Sequence, residues 1–368
     1  MAQNISPLRF LLIGCGGIVN NAQILAFEKH PKRVRLVAAC DPSTNARDAI
    51  ATRLASIGPV VTYADPAEAL AQLRDQFDAA LVTTPHFLHF RQAAQCIEAG
   101  LPVLIEKPAC NTLDELRRLI ALSQKHKALA VAGQNRRYDL RALWLKNWLK
   151  QQPEKFGELR SFDLRGWQNI EAWIATKPDK NTDFWILDKK RAGGGVVISL
   201  LVHYLDMIRF LSGHDYIEVS AKGRFDAPFK NGAESSCSAL LTLANGAVGT
   251  MHANYLSRKS FRPNEVFNLI GEHGYISNEQ GWKYATTGGA EPIDQEWQFK
   301  GTTDVPNDPS LALDDNMFVA QLLAFAEAVC TRTRPMNHLK DNFNTLATIE
   351  ALYTSMNQHG TPVRVANF

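Results

Sequence analysis

The sequence has almost no excess charge: 40 Lys and Arg against 37 Asp and Glu leave +3 over 368 residues. It shows no basic stripe or run of like charges, so it gives no sign of a nucleic-acid or membrane surface. Cysteine is sparse as well. The six (Cys15, Cys40, Cys96, Cys110, Cys237 and Cys330) form no C-x-x-C pair and no framework spacing. Most sit in apolar stretches, so they read as free thiols in a reducing, cytoplasmic setting. No run of about 18 apolar residues predicts a transmembrane helix. The apolar run near the start, Leu8 to Ile13, is interrupted by Arg9 and ends in glycines, too short for a signal-peptide core. Repeats and low-complexity segments are absent too.

What is present is a core-forming composition, 45% apolar, in a chain long enough for two domains. Up to residue 134, short apolar runs alternate with helical patterns, the mark of βαβ units and a parallel sheet. Strands are expected at 9–14, 35–41, 78–85, 102–108 and 128–134. The helices between them are expected at 20–30, 43–55 (capped by Ser43), 89–100 (closed by Gly100) and 112–126. The last has Thr112 and Glu115 as a capping box. From 135 to 368 the pattern changes to an α+β domain. A helix with several aromatics (138–151) precedes long alternating runs at 157–167, 216–225, 235–255 and 265–279. Asn245-Gly246 marks a hairpin and 271–274 a second turn. Residues 288–310 read as a surface loop or edge, and helices at 315–330 and 340–358 close the chain.

Gly14-Cys15-Gly16-Gly17-Ile18-Val19 lies between the first strand and its helix. Glycines there let the chain turn tightly and let a pyrophosphate approach backbone N–H groups at a helix N-terminus. Val19 stands where a third small residue usually eases helix–sheet contact. Asp41 ends the second strand, 22 residues after Val19, where a carboxylate accepts hydrogen bonds from adenosine ribose hydroxyls. It would also repel a 2′-phosphate, and no arginine follows immediately, so NAD is favoured over NADP. Read apart from this frame, the loop is an ordinary glycine turn and Asp41-Pro42 a bend. In register with strand, helix and strand, they predict a dinucleotide site.

Two further segments stand out. Glu106-Lys107-Pro108 ends a parallel strand, where ligands bind in such sheets, although the residues alone favour an ordinary strand exit with a solvated lysine. Gly193-Gly194-Gly195 opens a helix whose Ser199, His203 and Asp206 fall at spacings of four and three, on one face. A histidine in such an apolar helix is, by itself, more often a core residue. His86 and His89, three apart at a helix start, lack a third ligand or zinc spacing, so no metal is expected.

With GCGGI (14–18), TTPHFLH (83–89), EKP (106–108), QNRRYD (134–139), the segment 185–206 and ATIEALYTSM (347–356) in this order, the chain resembles the Gfo/Idh/MocA family. These are the relatives of glucose–fructose oxidoreductase and inositol dehydrogenase, and the resemblance covers nearly the whole chain. It implies a Rossmann domain followed by a domain with a large, open, mostly antiparallel sheet, and an active site between the two. It also implies homodimers or homotetramers formed through that sheet. By this resemblance Lys107 is the catalytic lysine near the nicotinamide, and His203 the general base for a substrate hydroxyl. Gly14, Gly16, Gly17, Ile18, Asp41, Thr84, Pro85, His89, Glu106 and Lys107 would line the cofactor. Arg137, Tyr138, Trp167, Asp188, Ser199 and His203 would face a sugar-like substrate. Arg136 resembles a cleft residue as well, and Trp173 and Trp185 are further candidates for stacking on a sugar face, though aromatics are more often core. The chain departs from the pattern in one respect. Relatives usually carry Asp four residues before the histidine and often Gly two before it; here stand Ser199 and Leu201. Serine cannot supply the carboxylate that stabilises an imidazolium, a role that Asp188 or the substrate would then have to fill.

The leading expectation is an NAD-dependent dehydrogenase or reductase of a sugar, cyclitol or sugar derivative. The alternatives are a glycosidase or lyase that oxidises the sugar transiently with tightly held NAD, and a non-enzymatic NAD-binding regulator. Retention of both Lys107 and His203 argues against the last.

Overall fold

The alternating apolar runs and amphipathic helices assemble into two compact units in the computed structural model of the chain, which describes residues 6–175, 184–256, 265–286, 294–306 and 313–368. The first unit takes Met1–Tyr138 and Ala312–Asn342, the second Asp139–Leu311 and Phe343–Phe368.

In the first unit six parallel strands lie in the order β3-β2-β1-β4-β5-β6: β1 (Leu8–Ile13), β2 (Val34–Cys40), β3 (Val61–Tyr63), β4 (Ala79–Val82), β5 (Val103–Glu106) and β6 (Ala130–Gly133). β1, β4, β5 and β6 are almost wholly buried, as expected of a sheet covered on both faces. The strand order reverses between β1 and β4, and ligands of such sheets bind beyond the carboxyl ends of strands at that point. Helices cap as the sequence predicts. Ser43 accepts from the Ala46 N–H at 3.3 Å and Thr112 from the Glu115 N–H at 3.2 Å. The Glu115 carboxylate, however, reaches the N–H of Asn111 rather than that of Thr112. The fourth helix starts at His86 rather than 89. The three-residue edge strand β3 and the helix Pro66–Leu73, whose N-cap is Asp65, are absent from the sequence reading. The helix Met317–Thr331 joins the core of this unit, with Val319, Leu322 and Phe325 against Phe10 and Phe27.

The second unit holds a nine-stranded sheet in the order β14-β13-β12-β11-β7-β10-β9-β8-β15. Its strands are β7 (Leu159–Trp167), β8 (Tyr216–Arg224), β9 (Ser236–Leu243), β10 (Val248–Asn254), β11 (Glu265–Gly271), β12 (Gly274–Ser277), β13 (Trp282–Thr286), β14 (Asp294–Phe299) and β15 (Val363–Arg364). All neighbours pair antiparallel except β7 and β10, so the sheet is mixed and mostly antiparallel. The hairpin at Asn245-Gly246 joins β9 and β10, with the Asn245 carboxamide oxygen accepting from the Ala247 N–H. β13 is missing from the sequence reading. The segment read as loop or edge contains the edge strand β14. The predicted helix 138–151 resolves into a tight turn, Asn135–Tyr138, and the helix Leu140–Gln151, capped by Asp139. Its aromatics have a packing role: Trp144 and Trp148 meet Trp297 and Tyr284 with ring centroids 4.6–5.7 Å apart.

One helical stretch, Lys189–Ser212, is long and apolar enough to cross a membrane, and 94% of its apolar window is buried inside the protein. The six cysteines are all free thiols; five are buried and Cys330 is exposed.

Candidate functional site

In the first unit the glycine loop leaves β1 at the point where the sheet order reverses. Gly14 sits at φ +99, and a Cβ there would meet the backbone of Thr83 and Thr84 at 2.9 Å, so only glycine lets the loop pass β4 so closely. The Thr83 hydroxyl completes this contact by donating to the Gly14 carbonyl at 2.7 Å. Gly16 is the opposite case. A Cβ there would meet nothing within 4 Å, and Gly16, Gly17 and Ile18 are all exposed. One glycine is demanded by the fold, and the next leaves open space beside backbone N–H groups, which fits a phosphate-bearing cofactor. The loop continues into a helix whose first part, Val19–Gln23, is a wide π-type turn, with Val19 buried. The Asp41 carboxylate is held beside the loop by the Cys15 N–H and the Ser43 N–H, each at 2.9 Å. One basic group escaped the sequence reading. The Arg47 guanidinium folds back on this turn, donating to the Asp41 carbonyl and, at 3.1 Å, to the Thr44 hydroxyl.

The exits of β4 and β5 lie at the same edge of the sheet. Glu106 is buried, accepting from the Gln23 carboxamide at 2.6 Å and from the Lys107 N–H at 3.2 Å. Burial pushes its carboxyl above the usual range, with the Lys107 charge and the Gln23 contact pulling the other way. Lys107 is half-buried, and its charge acts on both Glu106 and His89. Gln23, fully buried on the helix after the glycine loop, thus links that helix to the strand bearing Lys107.

His89 takes a different place from the one expected beside the cofactor. Its ring spans two backbone carbonyls, with Nδ1 2.7 Å from that of Pro108 and Nε2 2.7 Å from that of Thr84. Both nitrogens are therefore engaged by the main chain, and the side chain ties the two strand exits together. Burial holds its pKa below the ordinary histidine value against the pull of the two carbonyls. The Thr84 hydroxyl donates to Gln92, and Pro85 opens the helix His86–Glu98 without a side-chain cap. Among the described residues, no three His, Cys, Asp or Glu side chains come together as a metal site.

Arg137 and Tyr138, expected to face substrate, are buried and engaged within the first unit. Arg137 pairs with Asp341 at 2.7 Å and donates to the Met336 carbonyl, while the Tyr138 hydroxyl donates to Asn337 at 2.8 Å. Asn337 in turn bonds the main chain of Ala132 in β6. These two side chains fasten the segment after β6 to residues 336–341, so a solvated helix start does not describe them.

In the second unit the three glycines precede a wide π-type turn, Val197–Leu201, and then the helix Val202–Ser212. Ser199 lies in the turn and His203 just beyond it, so an extra residue per turn alters the simple i, i+4 alignment. Asp206 is buried and accepts from Thr345 at 3.1 Å. Tyr255, a buried phenol just past β10, has its pKa pushed up by burial, with neighbouring Ser199 pulling the other way. The helix start is held by Glu234, which the sequence reading overlooked. This fully buried residue accepts the Gly195 and Val197 N–H groups at 2.8 Å each and the Tyr353 hydroxyl at 3.2 Å. Burial raises its carboxyl pKa while these backbone donors oppose the rise. Trp167 is half-buried at the end of β7, in register with Asn254, which precedes Tyr255. Trp185 is half-buried beside Phe184. Asp188 caps a short helix, taking the Lys190 N–H at 2.9 Å and the Asn231 amide at 2.7 Å. The Asn231 contact is the main reason its carboxyl lies below the usual range. Both contacts fall on the same oxygen, Oδ1. The Trp173 side chain lies outside the described residues.

Comparison with known proteins bears on the family and fold of both units. A model of the oxidoreductase family with an NAD-binding Rossmann fold matches residues 8–134, and the GFO/IDH/MocA C-terminal domain matches residues 150–277. A 1-carboxy-3-chloro-3,4-dihydroxycyclohexa-1,5-diene dehydrogenase of Comamonas testosteroni is 27% identical over 66% of this chain, a match spanning 57% of that protein. A 1,5-anhydro-D-fructose reductase of Ensifer adhaerens is 24% identical over 74% of this chain and 75% of its own length. Among solved structures, levoglucosan dehydrogenase in complex with NADH superposes with a TM-score of 0.82. It covers 99% of this chain and 100% of its own at 18% identity, a likeness of fold.

Proposed function

Because the chain belongs to the Gfo/Idh/MocA family of NAD-binding oxidoreductases, we propose that it moves a hydride between NAD and a carbinol carbon of a sugar, cyclitol or sugar derivative. The observation that carries this reading is the edge of the first sheet. There an open glycine loop, Asp41 and the half-buried Lys107 stand where the strand order reverses. Gly16 and Gly17 would receive the pyrophosphate, and Asp41 the adenosine ribose. When bound, NAD supplies the two-electron acceptor or donor.

The chain's own residues handle the proton. Lys107 Nζ hydrogen-bonds the substrate hydroxyl and holds charge beside it, and the His203 imidazole takes the hydroxyl proton. Ser199 lacks a carboxylate and, beside the buried Tyr255, orients rather than charges its surroundings. Trp167 offers a half-buried ring for a sugar face. The test is to incubate the purified protein with NAD and a panel of free polyols and sugars, following reduced nicotinamide. Stoichiometric reduction supports the reading. Product release without net reduction, from protein purified with NAD bound, would replace it with transient oxidation in a hydrolase or lyase.

Gly16→Ala separates cofactor binding from folding. Since a Cβ at Gly16 meets nothing in the protein, the variant is expected to melt within about 1 °C of the parent, given how little unstrained surface changes matter. Its NAD dissociation constant should rise about tenfold, the loss of roughly one backbone contact to phosphate. Unchanged NAD affinity, measured by calorimetry, would remove the glycine loop from the cofactor site.

The proposal includes a homodimer or homotetramer formed through the second-unit sheet. Leu240, Val248 and Ile270 are exposed at 42–56% on strands whose alternate residues are buried. Light scattering should give a multiple of the 40.9 kDa chain mass, and Leu240→Asp should shift it toward monomer. A monomeric parent would refute this part.

A further inference from the structure

We propose that the first unit carries a second ligand site, a cationic cleft for a small organic phosphate, at the edge of its sheet away from the glycine loop. The cleft lies where β5 and β6 begin, beside Pro102, Ala128 and Ala130, whereas Glu106 and Lys107 lie where β5 ends. Its volume is about 790 Å³, within the usual range of small-molecule sites.

The cleft has an apolar floor and a rim of one sign. Ala128, Ala130 and Leu339 are buried beneath it. Lys127, Arg332, Arg334, His338 and Lys340 line it, and no Asp or Glu does. Among the described residues, Lys127, Arg332 and Arg334 make no ion pair. Lys127 and Arg332 follow the ends of two helices, Leu113–His126 and Met317–Thr331, and the helix dipoles account for a cation at each. Lys340 stands at the opposite kind of helix end. It lies in the first turn of the helix Leu339–Asn357, the end where a cation opposes the dipole and an anion is favoured. Burial lowers the His338 pKa first; Asp341 pulls it up, and Arg334, Arg137 and Lys340 each lower it.

Lys127, Arg332 and Arg334, three permanent cations around an apolar floor, repel one another until an anion binds among them. A phosphoryl group suits them better than a carboxylate, because its dianion offsets two charges and its oxygens match the planar arginine fork. The apolar floor calls for an organic remainder on that phosphate.

The test is calorimetry on the full chain saturated with NADH, so that the glycine loop is filled, with glycerol 3-phosphate as probe and glycerol as its neutral counterpart. NADH affinity is measured separately, so a failure of the cofactor reading is seen on its own. Glycerol 3-phosphate should bind while glycerol does not. Arg334→Gln and Lys127→Gln, both at exposed positions, should each weaken binding about tenfold with NADH affinity unchanged. Three results would overturn the proposal: no phosphate binding by the parent at millimolar concentration, equal affinity in both variants, or uptake only of an extended polyanion such as heparin.

Discussion

Lys107→Met is expected to lower turnover by about a thousandfold, within the range that a positioned acid or base contributes, while the NAD dissociation constant changes by less than about threefold. The substitution keeps an unbranched side chain of similar length in a half-buried position, so packing around β5 should survive. What goes is a charge that acts on two buried neighbours, Glu106 and His89. The sign of the secondary effect follows from the same contacts. Without Lys107, nothing opposes burial of Glu106 except the Gln23 amide and the Lys107 backbone N–H, so its already raised carboxyl pKa rises further. Whether protonated or not, the Glu106 carboxyl still accepts from Gln23, which is why binding is expected to outlast turnover. Lys107→Arg distinguishes two roles for the lysine. An arginine keeps the positive charge but does not release a proton near neutral pH. If Lys107 only steadies the hydroxyl, the arginine variant should recover much of the lost rate; if it relays the proton, the rate should stay low. Steady-state rates and a separate NAD titration decide this. A methionine variant within about tenfold of the parent would take Lys107 out of the chemistry.

Features written in local patterns were legible in the sequence; those made by distant partners were not. Ser43, Thr112 and Asn245-Gly246 act within a few residues of themselves, and each does what its residue type predicts. The glycine loop is equally local. The partner of Glu106 is Gln23, 83 residues away, and a lone glutamine in an amphipathic helix carries no signal of that contact. Arg137 and Tyr138 pair with Asp341 and Asn337, about 200 residues on, so a motif that looked ready for ligand became a fastening within the unit. His89 misled in the same way. It was expected among the residues lining the cofactor, but its contacts with the Thr84 and Pro108 carbonyls depend on how β4 and β5 exit the sheet. The π-type turns at Val19–Gln23 and Val197–Leu201 went unseen because hydrophobic periodicity cannot register one extra residue in a turn. β3 was too short and exposed to show alternation.

Gly195→Ala is the substitution expected to damage the second unit most. A Cβ at this position would lie 1.9 Å from the Glu234 carbonyl oxygen and 2.7 Å from its nitrogen, both backbone atoms that cannot swing aside. Any relief must separate Gly195 from Glu234, and that pair is what starts the helix carrying Ser199 and His203. The Glu234 carboxylate accepts the Gly195 and Val197 N–H groups, and its carbonyl accepts that of Val196. Moving the two segments apart would break these contacts together and leave a buried carboxyl short of donors. A loss of about 3–4 kcal/mol follows from combining overpacking with buried hydrogen bonds. For a unit of this size it corresponds to a melting temperature about 10 °C lower. Gly166→Ala is the internal control. Its Cβ would meet Leu201 Cδ2 at 3.2 Å and Leu200 Cδ2 at 3.3 Å, the ends of side chains that can yield, so it should cost less than about 1 kcal/mol. Differential scanning calorimetry ranks the two variants. If Gly195→Ala melts as high as Gly166→Ala, then Glu234 does not anchor the helix start, and the position of His203 must be set by contacts further along the helix.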